Sequence, residues 1–205
     1  MKVLLTAADT DLGKVFIDEL SGISEIRPIG ISESASGQGY ESVDLLNREA
    51  VEKSLKGVSH VVHLLPYVAR CDLKDVEENN LLDLVARSTY VLTTAASEAS
   101  IPRLVLVSRL DIMRGYDDSY IIDSTWQPRP EAHADSLAPH MAELVCREIA
   151  RTGKISVAAL RLGEIGIEVK TSEAVEAVQN ALIEPMKENY HWTVKHIASA
   201  GRFAS

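Results

Sequence analysis

The chain has 205 residues, 46% of them hydrophobic and 25% charged, with a formal net charge of -9. That length and balance suit one soluble domain, residues 1–205, with a real core. The negative charge disfavours nucleic acid, where excess Lys and Arg must displace counterions, and it equally disfavours an anionic membrane surface.

The first apolar run, from Lys2 to Ala8, is broken by Asp9 and Asp11, at the short limit of a secretory apolar segment. It predicts a strand at 2–6, a tight turn through Ala7-Ala8-Asp9-Thr10-Asp11-Leu12-Gly13, and a helix over 12–21. A strand at 26–31 follows, then a Ser- and Gly-rich loop at 32–39 and a short strand at 41–43. Next come a helix at 48–55, a strand at 60–65 and a long helix over 76–98. Residues 103–108 are apolar without interruption up to Ser108, the mark of a central strand buried on both faces. The stretch 109–134, rich in Asp, Pro and Tyr, is irregular and long enough to be functional or mobile. A helix at 136–152, a strand at 156–161, a helix at 172–187 and a strand at 191–197 complete the chain.

This alternation predicts an α/β fold, a doubly wound parallel sheet in the order 3-2-1-4-5-6-7, with no separate substrate domain. No stretch approaches the roughly 20 apolar residues of a membrane span. Cys71 and Cys146 are few and far apart, so free buried thiols in a reducing compartment, the cytoplasm, are expected.

The turn after the first strand stands where a Rossmann protein carries Gly-x-x-Gly-x-x-Gly, and only Gly13 survives. Gly13 retains the helix–strand packing role; Ala7 is a mild change if its φ stays negative. Thr10 places a branched side chain where phosphate would approach, and Asp9 and Asp11 add negative charge there. The helix N-terminus would still attract an anion, but Thr10 or Asp11 as a simple cap explains the same residues. Glu33, 20 residues beyond Gly13, sits where an acidic group would accept a ribose 2′-hydroxyl, or is merely solvated. No Lys or Arg lies between Gly30 and Arg48, so NAD is favoured over NADP. A metal site is not expected: His60 and His63 leave opposite faces of a strand, and Glu131, His133, Asp135 and His140 match no strong ligand spacing.

Further segments give the chain its likeness. They are Asp44-Leu45, the passage from Glu52 through Gly57 to His63-Leu64, Ser88-Thr-Tyr-Val-Leu92, Leu106-Val-Ser108 and Leu160-Arg-Leu-Gly163. In this order the chain resembles an extended short-chain dehydrogenase/reductase, the NAD-dependent epimerase/dehydratase family. The resemblance implies dinucleotide contacts at Asp11, Leu12, Gly13, Glu33, Asp44, Leu45, Leu64 and Ser108. It also implies a homodimer through the helices from Val76 to Glu98 and from Ser136 to Thr152. Leu81, Leu82, Val85 and Leu92 on the first, and Met141, Leu144, Val145 and Ile149 on the second, follow helical spacing. Covering the sheet would explain those stripes too.

The departures are as consistent as the likeness. The family's active-site Ser or Thr falls at Arg109, its Tyr at Asp135, its Lys at Pro139 and a supporting Asn near Val85. No lysine lies between Lys74 and Lys154, and the substrate-binding segment after Gly166 is abbreviated. A carboxylate near pKa 4 matches an alcohol proton poorly, and proline has no donor. Arg109 and Asp135 are expected to pair across the former pocket, against the alternatives of a free Arg109 binding an anion or both side chains in solvent. The expectation is a non-catalytic or weakly catalytic nucleotide-binding or interaction protein, with NAD bound weakly if at all. The alternatives are an active NAD-dependent oxidoreductase or sugar-nucleotide epimerase/dehydratase using unconventional residues, and a ligand-free structural partner of a paralogue.

Overall fold

A computed structural model describes residues 1–33, 35, 37, 39–65, 78–185 and 191–204. Its elements run β1 (Lys2–Leu5), α1 (Asp11–Leu20), β2 (Glu25–Gly30), β3 (Glu41–Ser42), α2 (Arg48–Ser54), β4 (His60–Leu64), α3 (Glu78–Glu98), β5 (Arg103–Arg109), α4 (Ala134–Ala150), β6 (Ser156–Leu162), α5 (Thr171–Ile183) and β7 (Trp192–Ile197). One seven-stranded sheet results, ordered β3-β2-β1-β4-β5-β6-β7, with every pair parallel. This is the expected order, and its direction of growth reverses between β1 and β4.

The alternation of side chains along each strand divides the interior into two layers. In β5, Leu104 and Leu106 face one cluster with α2, α3 and α4, while Val105 and Val107 face the other with α1 and α5. That two-sided burial is why β5 reads as an unbroken apolar run. A third, smaller cluster joins Leu110, Ile112, Met113, Ile122 and Phe203 beyond the sheet. The Arg114 and Arg202 guanidiniums lie over the Phe203 ring at 5.6 and 5.0 Å. The irregular stretch after β5 is thus packed around a core of its own.

Helix ends differ from the sequence reading where local chemistry decides them. Helix α5 stops at Ile183 rather than 187, because Pro185 holds Glu184 extended (ψ 133°). Helix α4 starts two residues early, at Ala134, and runs through Pro139. Helix α3 ends at Glu98 as expected; its expected start at 76–77 lies outside the described residues. Thr93 Oγ1 and Cys146 Sγ, 3.5 Å apart, mark where α3 and α4 touch. Cys146 is a free, fully buried thiol, and burial pushes its pKa up to about 12. No helix among the described residues is long and apolar enough to cross a membrane.

Candidate functional site

In open parallel sheets, ligands bind beyond the carboxyl ends of the strands, where the order reverses. Here that region gathers the β1–α1 turn and the ends of β4 and β5. The turn satisfies its own polar groups. The Thr10 backbone is extended (φ -80°, ψ 160°) and its hydroxyl accepts the Gly13 N–H at 3.0 Å. The same hydroxyl donates to the Ala7 carbonyl at 2.7 Å, which also takes the Thr10 N–H at 3.1 Å. Thr10 is therefore the cap of α1. Gly13 packs as expected: a Cβ there would lie 2.2 Å from the Ala7 carbonyl oxygen. Ala7 does not keep a negative φ. It sits at +50°, a left-handed conformation that disfavours any residue with a Cβ, so glycine would fit better.

Asp9 performs a role the sequence did not reveal. Its Oδ2 accepts the Ile31 N–H at 3.1 Å and the Ser32 N–H at 2.8 Å, tying the turn to the chain beyond β2. A Cβ on Gly30 would meet Asp9 Oδ1 at 2.2 Å and the Tyr40 hydroxyl at 2.8 Å, so any other residue there would have to displace these two side chains. Tyr40 donates to the Ser32 carbonyl at 2.8 Å, completing the filling of this corner. Burial and Asp9 together raise the Tyr40 pKa. The carboxylate at the end of β2 is thus Asp9, brought from the turn, while Glu33 is exposed.

The other positions expected to contact a dinucleotide differ in exposure and partners, although Leu64 and Ser108 lie side by side at the ends of β4 and β5. Asp11 is fully exposed and pairs with Lys14 at 3.2 Å. Leu12 is half-buried against the second core layer. Asp44 is exposed and accepts the Leu46 N–H at 2.9 Å within its own turn. Leu45 and Leu64 are core residues. The Ser108 hydroxyl is buried with no hydrogen-bond partner.

Three positions to which the resemblance gives catalytic roles do converge. Arg109, Asp135 and Pro139 line one cavity with Leu65, Leu81 and Val85, but its volume is about 10 Å³, at the limit of one water molecule. The expected Arg109–Asp135 pair does not form. Arg109 Nε instead meets Asp111 Oδ2 at 2.8 Å, with both side chains largely buried. The cause is proximity: the short 3-10 turn Leu110–Met113 presents Asp111 two residues from Arg109. Asp111 also holds Arg114 at 3.5 Å, and Arg114 reaches Glu168 at 2.9 Å. The Ser136 hydroxyl at the start of α4 donates to the Asp111 carbonyl at 3.2 Å.

Two buried polar clusters lie under this region. The Thr6 hydroxyl donates to the Leu64 carbonyl at 2.8 Å, so His63 Nδ1–H donates to Thr6 at 2.9 Å and the Thr89 hydroxyl donates to His63 Nε2 at 3.0 Å. Burial pushes the His63 pKa down to about 4, so the ring is neutral and braces β1, β4 and α3 together. On β6, separated from β4 by β5, Arg161 forms a buried fork with Glu143 of α4, with contacts of 2.8 to 3.2 Å. Arg161 also donates to His196 Nε2 at 3.3 Å, and burial with the Arg161 charge depresses the His196 pKa to about 4. Sequence reading missed this pair; an Arg and a Glu inside apolar runs were the available signal.

The arrangement does not suit a pyrophosphate. The Gly13 N–H is already taken by Thr10, and exposed Asp11 would face the ligand's charge. The resemblance gives the phenol and lysine places to Asp135 and Pro139 of α4, and neither side chain can take the part of a phenol or an ammonium. Among the described residues no group of three or more His, Cys, Asp or Glu could hold a metal ion.

No protein-family model and no curated protein sequence matches this chain. Solved structures do. Uronate dehydrogenase from Agrobacterium tumefaciens superposes with a TM-score of 0.80 at 20% identity, over 97% of this chain and 77% of that one. UDP-glucose 4-epimerase from Thermus thermophilus, in complex with NAD, gives 0.78 at 16% identity, over 97% and 78%. MoeE5 in complex with UDP-glucuronic acid and NAD gives 0.79 at 20% identity, over 97% and 76%. The likeness shows a shared fold, the one the resemblance to extended short-chain dehydrogenases/reductases implied.

Proposed function

We propose that this chain is a single-domain, non-catalytic protein on a dehydrogenase-type scaffold, acting through protein contacts, with at most weak affinity for NAD. The observation that carries this reading is the Arg109–Asp111 pair. It puts a largely buried, neutralised structural contact where the related fold would place a proton-handling hydroxyl. Pro139, buried in α4, replaces the lysine that would hold ribose. A buried charged pair of this kind resists removal, because losing one partner strands the other.

The interaction surface is the outer side of α3 and α4, where the chain forms a homodimer. Tyr90 is 56% exposed and Met141 37%, beside partly exposed Leu84, Val91, Leu137 and Leu144. Large apolar side chains clustered on a helix pair are a common signature of a partner-covered face.

The catalytic half of the reading is tested by incubating the purified protein with NAD and uronates, UDP-glucose or UDP-glucuronic acid, the compounds suggested by the structural neighbours. NADH absorbance and sugar epimerisation should stay at the enzyme-free level. Turnover that disappears in an Asp135→Asn variant would instead establish an active enzyme using unconventional residues.

A further inference from the structure

A second cavity lies at the opposite edge of the sheet from the strand ends described above. Arg103 opens β5, Ser156 opens β6 and His191 immediately precedes β7, so all three side chains belong to the amino edge. They line a cavity of about 450 Å³ roofed by Ala181 and Glu184 at the end of α5. Arg103 is only 8% exposed. Its Nη1 donates to the Ala181 carbonyl at 2.6 Å, a terminal carbonyl of α5. A guanidinium has five N–H donors, and a buried one rarely leaves most of them unused. Here no other described residue accepts from Arg103, which faces the cavity with that capacity left over.

The rest of the lining complements an anion. Lys195 reaches in from β7 and meets Glu184 at 2.7 Å. Among the described lining residues, Arg103, Lys195 and Glu184 sum to one positive unit in a chain whose net charge is -9. Ser156 Oγ and His191 Nδ1 lie 3.1 Å apart, so a hydroxyl and an imidazole stand beside the guanidinium. Trp192 adds an aromatic wall. The volume exceeds that of a bare oxyanion and falls within the range of small-molecule sites.

We propose that this cavity binds a small phosphate monoester, with Arg103 as the bidentate anchor, Lys195 and His191 as supporting donors, and the organic part against Trp192. An arginine fork suits a phosphate, and a basic, hydroxyl-lined cleft away from the nucleotide turn needs no dinucleotide. The site is independent of the reading of Arg109 and Pro139.

The test follows the Trp192 indole N–H by NMR while inorganic phosphate or glycerol phosphate is added at constant ionic strength, with chloride and acetate as separate arms. Saturable shifts are expected with both phosphates, tighter with glycerol phosphate, and none with chloride. Arg103→Gln should weaken glycerol phosphate at least about tenfold and Lys195→Gln about threefold, as loss of charged hydrogen bonds requires. If Arg103→Gln does not fold, the exposed Lys195→Gln decides. No saturable shift up to about 10 mM, a range in which even weak specific sites fill, would overturn the proposal. So would an unchanged affinity in Lys195→Gln, or acetate binding as tightly as phosphate.

Discussion

Among single residues, Thr10 and Gly13 behave as their chemistry announces, one capping a helix and the other admitting a close carbonyl. Ala7 and Asp9 do not. The +50° φ of Ala7 follows from a carbonyl aimed at Thr10, and no composition rule carries that sign. Asp9 finds its partners at Ile31 and Ser32, more than twenty residues on, and only the β1–β2 pairing brings them near. Arg109 was legible as a charge at the place of the family's Ser or Thr, but its pairing with Asp111 rather than Asp135 depends on the intervening turn. His63 supports a prediction at this scale. Its folded pKa of about 4 lies below the unfolded 6.5, so the unfolded chain takes up the proton first. Its contribution is therefore whole above pH 6.5 and drains away as the pH falls toward 4. A depression from 6.5 to about 4 corresponds to roughly 3 kcal/mol, so His63 should lower the urea unfolding free energy by about that much between pH 7 and pH 4, with a further loss over the same window from His196 and from any carboxylate effect. An NMR titration showing the His63 ring protonated at pH 6 in the folded protein would contradict this.

At the scale of elements, the strands were legible because two-sided burial writes continuous apolar runs, as in Leu104 to Val107. Helix limits were less legible because caps and prolines set them. Pro185 shortens α5, while Pro139 fails to end α4. Pro139 is the sixth residue of α4, past the first turn, and cannot donate to the Asp135 carbonyl. Packing against the Leu65–Leu81–Val85 wall holds it in place. Replacing a proline inside a helix should relieve up to about 3 kcal/mol, less the small void left by alanine. Pro139→Ala is therefore expected to raise the unfolding free energy by about 1–2 kcal/mol in urea melts, with α4 straighter in a crystal structure. A loss of stability would show that the proline ring supports the cavity wall more than its missing N–H weakens the helix.

For the whole molecule, alternation and crossover rules lead to the sheet order, which the neighbours at TM-scores of 0.78 to 0.80 share. What the chain does with that scaffold was less legible, since it depends on which polar groups meet after folding. The proposed homodimer belongs here. Sedimentation at high micromolar concentration should give twice the mass of a 22.4 kDa chain. A Tyr90→Glu, Met141→Glu double variant should sediment as a folded monomer, because charges in an apolar interface lack partners. A monomeric unmodified protein would remove the dimer from the proposal.

The turn from Ala7 to Gly13 closes upon itself through Thr10 and Asp9, and we propose that this leaves it little affinity for NAD. Calorimetric titration of the unmodified protein with NAD tests it most directly. Binding weaker than about 1 mM is expected, with recovery to a measurable affinity when Ala7 and Thr10 become Gly and Asp11 becomes Asn. NAD binding by the unmodified protein at about 10 µM or tighter would contradict it.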